Sequence, residues 1–251
     1  MKVESTSIVV FGEQNKLRFS ELVSFTSPSS IAVEITNHDK DDDTLVVKMT
    51  FETDNLETAK FQTEKELVRL VNLLSWKHNI VIAKYRTTSF QHSETKGQTH
   101  AIVLAETLYI TESLSMLKTV GSEGVQKLSL SLGKTCSEDA ENILLKWRDA
   151  IGQESQVTRL LLLFQILEEL HGSRKGADLW IRATDQNISL RMTGKNGDEE
   201  VSIYTYLRDC IHAKPENPQF PFNEFEQNVN NLQTLVRQCL EGRFPELIET
   251  P

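Results

Sequence analysis

The stretch "SQVTRLLLLFQILEELHG", Ser155 to Gly172, decides how the second half of the chain is read. Its apolar residues recur at helical intervals, and no proline or internal glycine interrupts them. It closes on Gly172, a natural residue just past a helix C-terminus. Upstream, "SEDAENILLKWRDAI" opens with Ser137, a suitable N-cap, followed by acidic first-turn residues. Downstream, "DEEVSIYTYLRDCIHA" reads as helix, and "FNEFEQNVNNLQTLVRQCLEG" as a last long helix ending at Gly242. Between them, from Gly176 to Gly197, "WIRAT" and "ISLRM" fit either irregular helix or a small hairpin.

The first half has a different period. "SIVVFG", "IAVEIT" and "TLVVKMTF" are short, β-branched and bounded by polar turns, as strands are. "NHDKDDD" suits a loop pairing the last two. Residues 55–75 carry Leu67, Leu70, Val71 and Leu74 at i, i+3, i+4 and i+7, which predicts a helix. "NIVIAKYRTTSF" and "HAIVLAETLYIT" return to strand character around a polar hairpin loop, "QHSETKGQT". "VQKLSLSL" alternates with period two and predicts one more strand. The fold class expected is α+β: a β-rich N-terminal domain at 1–132, followed by an all-α helical bundle at 133–251.

Composition narrows the function. The chain has 251 residues, enough for a sizeable core, with 39% hydrophobic and 25% charged residues. No apolar run approaches the ~20 residues of a membrane helix. The N-terminus has too short an apolar core for a signal peptide, so a cytoplasmic protein without membrane contact is expected. Cys136, Cys210 and Cys239 are widely spaced, lack metal-ligand spacing and read as free thiols. A net charge of −9 argues against a general nucleic-acid coat but leaves room for a local basic site.

Several short motifs are incomplete. Gly133-Lys134-Thr135 matches the tail of a phosphate-binding loop, but Leu128 stands where the loop needs its first glycine. A strand-to-helix turn is the expectation there. "HDKDDD", His38 to Asp43, lacks the glycine and terminal glutamate of a calcium loop. His92, Glu94 and His100 fall in or beside one hairpin loop without a readable ligand set. Neither G-x-S-x-G nor H-E-x-x-H occurs. No cofactor and no metal are expected.

One constellation remains, in "YTYLRDCIHAKP", Tyr204 to Pro215. Arg208 and His212 lie four residues apart, on one helical face. From the centre of the stripe Ile203, Tyr204, Leu207 and Ile211 they sit about 80° and about 120° round, on its flank. Asp209 points nearly away from the core. Pro215 stops the helix shortly after.

The motifs "KWRDAI" (Lys146–Ile151), "LLLFQILEEL" (Leu161–Leu170) and "IYTYLRDCIHAKP" (Ile203–Pro215) together resemble the HEPN superfamily, nearest to the methylamine-utilization MauJ-like group. The resemblance covers about residues 136–241 and leaves out the β-rich half. It implies a compact bundle of four or five helices that dimerises with its Arg/His helices facing across one cleft. Many such proteins are metal-independent endoribonucleases. By motif match Arg208 would hold the phosphate and His212 would exchange the proton. Asp209, and Glu168 or Glu169, would support them. The spacing departs from the nuclease signature: only Asp209, Cys210 and Ile211 separate the pair, one residue fewer than the shortest usual form. The resemblance therefore implies an RNA-cleaving or RNA-binding effector in prokaryotic defence or stress. The alternative is a non-catalytic binding or scaffold protein using the bundle for dimerisation or partner binding. A nucleotide-binding groove is a third reading. The N-terminal domain would recognise a protein partner.

Overall fold

The computed structural model describes residues 1–12, 15–39, 41, 43–93, 99–103, 116–193, 198–212 and 221–248. Two compact units divide these residues, Met1–Leu144 and Leu145–Ile248. The fold is α+β, rich in strands first and in helices afterwards.

In the N-terminal unit, alternation builds a six-stranded antiparallel sheet. Its strands are β1 (Lys2–Phe11), β3 (Val23–Thr26), β4 (Ala32–Asn37), β5 (Thr44–Glu52), β6 (Ile82–Ser93) and β7 (Thr99–Val103). Their order is β3-β4-β5-β1-β6-β7. Register decides which face is buried. Val3 faces Phe51, Ser5 faces Met49, Ser7 faces Val47 and Val9 faces Leu45. All eight are buried, while Lys2, Glu4 and Lys48 on the other side are exposed. Helix α1 (Leu56–His78) packs on β1 and β6. Two serines at the centre of β1 leave room for it, and Thr63 Oγ1 donates to Ser5 Oγ at 3.2 Å. Asn55 accepts from Thr58 N at one end of α1, and Asn79 turns left-handed (φ 51°) at the other. The expected hairpin of β4 and β5 is present, in antiparallel register.

Two strands have weak signals in the sequence. β2 (Asn15–Phe19) and β8 (Met116–Val120) form a parallel pair. Most of "HAIVLAETLYIT" (residues 104–111) and the loop residues 94–98 lie outside the described residues, as do Lys40 and Asp42 of "HDKDDD".

"VQKLSLSL" is a helix, not a strand. It belongs to α2 (Ser122–Leu132). The buried residues are Val125, Leu128 and Leu132, spaced i, i+3, i+7, while Leu130 is 72% exposed. The period-two pattern of leucines was coincidental with a helical stripe that starts three residues earlier, at Val125. The end of α2 is held by a buried ion pair. Arg69 donates to Glu66 Oε1 at 2.7 Å and to the Leu132 carbonyl at 2.7 Å. Gly133 is the C-cap of α2, so Gly133-Lys134-Thr135 ends a helix instead of opening one around phosphate.

The C-terminal unit is mainly helical: the end of α3 (Glu138–Ile151), then α4 (Gln156–His171), α5 (Arg174–Thr184), α6 (Ile203–His212) and α7 (Phe222–Arg243). Ser137 caps α3 as expected, and Gly172 ends α4 with φ 75°. α4 packs against α5, α6 and α7. The unit is not all-α. "WIRAT" is helix, but Leu190–Thr193 (β9) pairs antiparallel with Glu199–Ser202 (β10). The helix expected across "DEEVSIYTYLRDCIHA" therefore begins only at Ile203. Gly242 lies inside α7, whose C-cap is Phe244. Among the described residues no helix is long and apolar enough to cross a membrane.

The two leucines of α2 separate the helix from the expected strand in solution. Leu128→Ala is expected to cost about 2–5 kcal/mol of stability in urea unfolding. Leu130→Ala should cost less than about 0.5 kcal/mol. On a half-buried strand the two would share a face and cost alike.

Candidate functional site

α6 starts where it does because of one buried carboxylate. Asp178, on α5, is 5% exposed. Its Oδ1 accepts from Ser202 N at 2.8 Å and from Thr205 Oγ1 at 2.6 Å. Ser202 Oγ and Thr205 Oγ1 lie 3.0 Å apart, and Thr205 N donates weakly to Ser202 Oγ, so Ser202 serves as the N-cap. Arg182, one turn on from Asp178, donates to the Glu200 carbonyl and carboxylate and holds β10. From this fixed start, Ile203, Tyr204 and Leu207 are buried, and Ile211 is half-buried. Burial, with Asp185 nearby, pushes the Tyr204 phenol up to about 12.

Arg208 lands on the flank of that stripe, as its spacing predicts, and it is ion-paired within its own unit. Its Nη2 lies 3.0 Å from Glu168 Oε1 on α4, and its Nη1 lies 3.3 Å from Asp209 Oδ1. Glu168, Arg208 and Asp209 are each little more than a fifth exposed. Arg208 Nε is buried without a hydrogen-bond partner among the described residues. Asp209 does not point into solvent. Arg174, at the start of α5, reaches over it and donates from Nε at 3.0 Å and from Nη2 at 2.6 Å. The same guanidinium grips Glu199 of β10 at 3.0 and 3.2 Å. These bonds to Asp209, and then to Glu199, raise the Arg174 pKa further above its ordinary value.

The result is a ladder, Glu168–Arg208–Asp209–Arg174–Glu199, that ties α4, α5, α6 and β10 together. It contains three carboxylates and two guanidiniums, so its formal charge is −1. Phosphate recognition needs the reverse, a guanidinium with donors to spare. His212 is exposed at the end of the described part of α6 and enters no hydrogen bond or ion pair among the described residues. Lys214 and Pro215 lie outside the described residues. Glu169 does not join Arg208; it pairs with Lys146 of α3.

Arg174, Asp178 and Glu199 have no place in the sequence reading. A signal existed: Arg174, Asp178 and Arg182 recur every four residues, a charged stripe on one face of a helix. Their partners on β10 and α6 are 18 to 35 residues away, so no local motif names them.

The remaining candidates are less organised. His92 sits directly opposite His100 in the β6–β7 register, and Glu94 lies outside the described residues. Among the described residues no cluster of three or more His, Cys, Asp or Glu is arranged to hold a metal. No family model matches the chain, and no match is found among curated proteins or solved structures.

Asp178 is the positioning residue for α6. Asp178→Ala should lower stability by about 2–3 kcal/mol, because the buried Ser202 N–H loses its acceptor. Asp178→Asn, which keeps an oxygen in place, should cost less. Urea unfolding monitored by circular dichroism checks both.

Proposed function

We propose that the chain is a HEPN-like, non-catalytic binding or scaffold protein. Its helical unit would serve dimerisation or partner binding, and its β-rich unit a further protein contact. The observation that carries this reading is the commitment of Arg208 to Glu168 and Asp209. A guanidinium held by two carboxylates inside its own unit offers little to a phosphate, and breaking such a pair costs the desolvation of the partner left behind. The motif order over residues 136–241 supports the HEPN likeness, and the three-residue gap between Arg208 and His212 supports a binding role over cleavage.

The exposed His212 favours one second reading, an RNA-cleaving or RNA-binding effector of defence or stress. There, RNA phosphate would displace Glu168 from Arg208, and His212 would exchange the proton of the ribose 2′-hydroxyl or the leaving 5′-oxygen. Two-fold symmetry would double both groups around one strand.

Incubation with mixed RNA in EDTA separates the two readings. The scaffold reading expects no cleavage by the wild type, nor by Glu168→Gln, which releases Arg208 from one partner. Sedimentation should show a homodimer that survives His212→Ala. Cleavage by the wild type that disappears in His212→Ala would overturn the scaffold reading and establish the nuclease.

A further inference from the structure

The ends of α4, α5 and α7 line an open surface pocket of about 530 Å³ that has no part in the ladder around Arg208. One wall is aromatic. His171 and Trp180 stack with ring centroids 5.2 Å apart and planes 22° from parallel. His171 Nε2 lies 3.4 Å from Cys239 Sγ, which fixes the imidazole against α7. Gln238 and Arg243 of α7, both exposed, form a polar rim, and Gly242 between them leaves the helix surface bare. A Cβ added at Gly242 meets no atom within 4 Å.

The charge of this lining is lopsided. It contains no carboxylate. Burial, helped by Arg243, lowers the His171 pKa, so the imidazole is neutral at pH 7. Burial pushes the Cys239 thiol up to about 11, so it too is neutral and is not a nucleophile. Arg243 is therefore the one formal charge in the lining. Unlike Arg174, Arg182, Arg208 and Arg237, it enters no ion pair among the described residues. Such an unpaired guanidinium beside a flat aromatic wall suits one ligand class: an anionic head on a planar apolar body. A cation is disfavoured by Arg243.

We infer that this pocket is a binding site for a small organic anion with a planar apolar body, such as an aromatic carboxylate. The carboxylate pairs with Arg243 and the Gln238 amide, and the ring lies along Trp180. The inference is independent of the function read for Arg208 and His212.

Benzoate is the probe, with neutral benzamide as its isostere. The readout is the indole N–H signal of Trp180 in a nitrogen-15 NMR titration of the full chain, assigned by Trp180→Phe. Benzoate should shift that signal saturably, with a Kd of about 1 mM or tighter for so small a ligand. Benzamide should bind at least about tenfold more weakly, and Arg243→Gln should weaken benzoate by a similar factor. Gly242→Leu fills the pocket and should abolish the shift, while replacing a helical glycine leaves thermal melting unchanged or raised. If Gly242→Leu melts lower, the benzamide comparison and Arg243→Gln decide. The inference is overturned if the Trp180 signal does not saturate, if benzoate and benzamide bind alike, or if Arg243→Gln leaves the Kd unchanged.

Discussion

A carboxylate removed from water has to find hydrogen-bond donors, and Asp178 finds them at the junction of a strand and a helix. Ser202 N and Thr205 Oγ1 turn towards it, so the last residue of β10 becomes the cap of α6. Everything of interest on α6 follows from that start. A one-residue shift in the register of α6 would rotate its side chains by about 100°, carrying Arg208 away from Glu168 and exposing Tyr204. Specification by a buried polar contact is stricter than by apolar packing alone, because a misplaced donor leaves the carboxylate unsatisfied.

The ladder that includes Arg208 extends this logic outward. Each of its members is partly exposed, so solvent screens the individual pairs and their separate contributions are modest. Its geometric effect is larger. Arg174 binds Asp209 and Glu199 at once with a planar fork, holding a helix and a strand at a set separation. Of the side chains that motif matching singles out for chemistry, Glu168, Arg208 and Asp209 are members of this ladder and His212 is not. Glu168 and Glu169 also part company, one turned to α6 and the other to α3, a distinction that adjacent positions in the sequence do not reveal.

The sheet was readable because its residues obey a two-residue period on one buried face: Val33 and Ile35, then Leu45, Val47, Met49 and Phe51. α1, α4 and α7 were readable through apolar spacing, and the end of α4 through Gly172. By sequence β9 fits either helix or hairpin, and β10 reads as helix. Glu199 and Glu200 are poor strand formers, and their place in a hairpin depends on Arg174 and Arg182, which approach from another element. The flank position of Arg208 followed from helical geometry. Its pairing did not, because Glu168 reaches it from α4, a separate helix far back in the chain. The aromatic wall at Trp180 and His171 has the same cause: its members come from separate helices and share no motif.

The leucines of α2 carry a liability as well as a structure. "LSLSL", Leu128 to Leu132, satisfies a helix in the folded unit, yet in an unfolded chain its strict alternation is the pattern that recruits a neighbouring strand. Lys127 and Lys134 bracket it with like charges, which penalise stacking of identical segments from different molecules. The buried Glu66–Arg69 pair adds protection of another kind. By capping the carbonyl of Leu132 it closes the helix at the residue where the alternation ends, and so withdraws the segment from intermolecular pairing once the fold has formed.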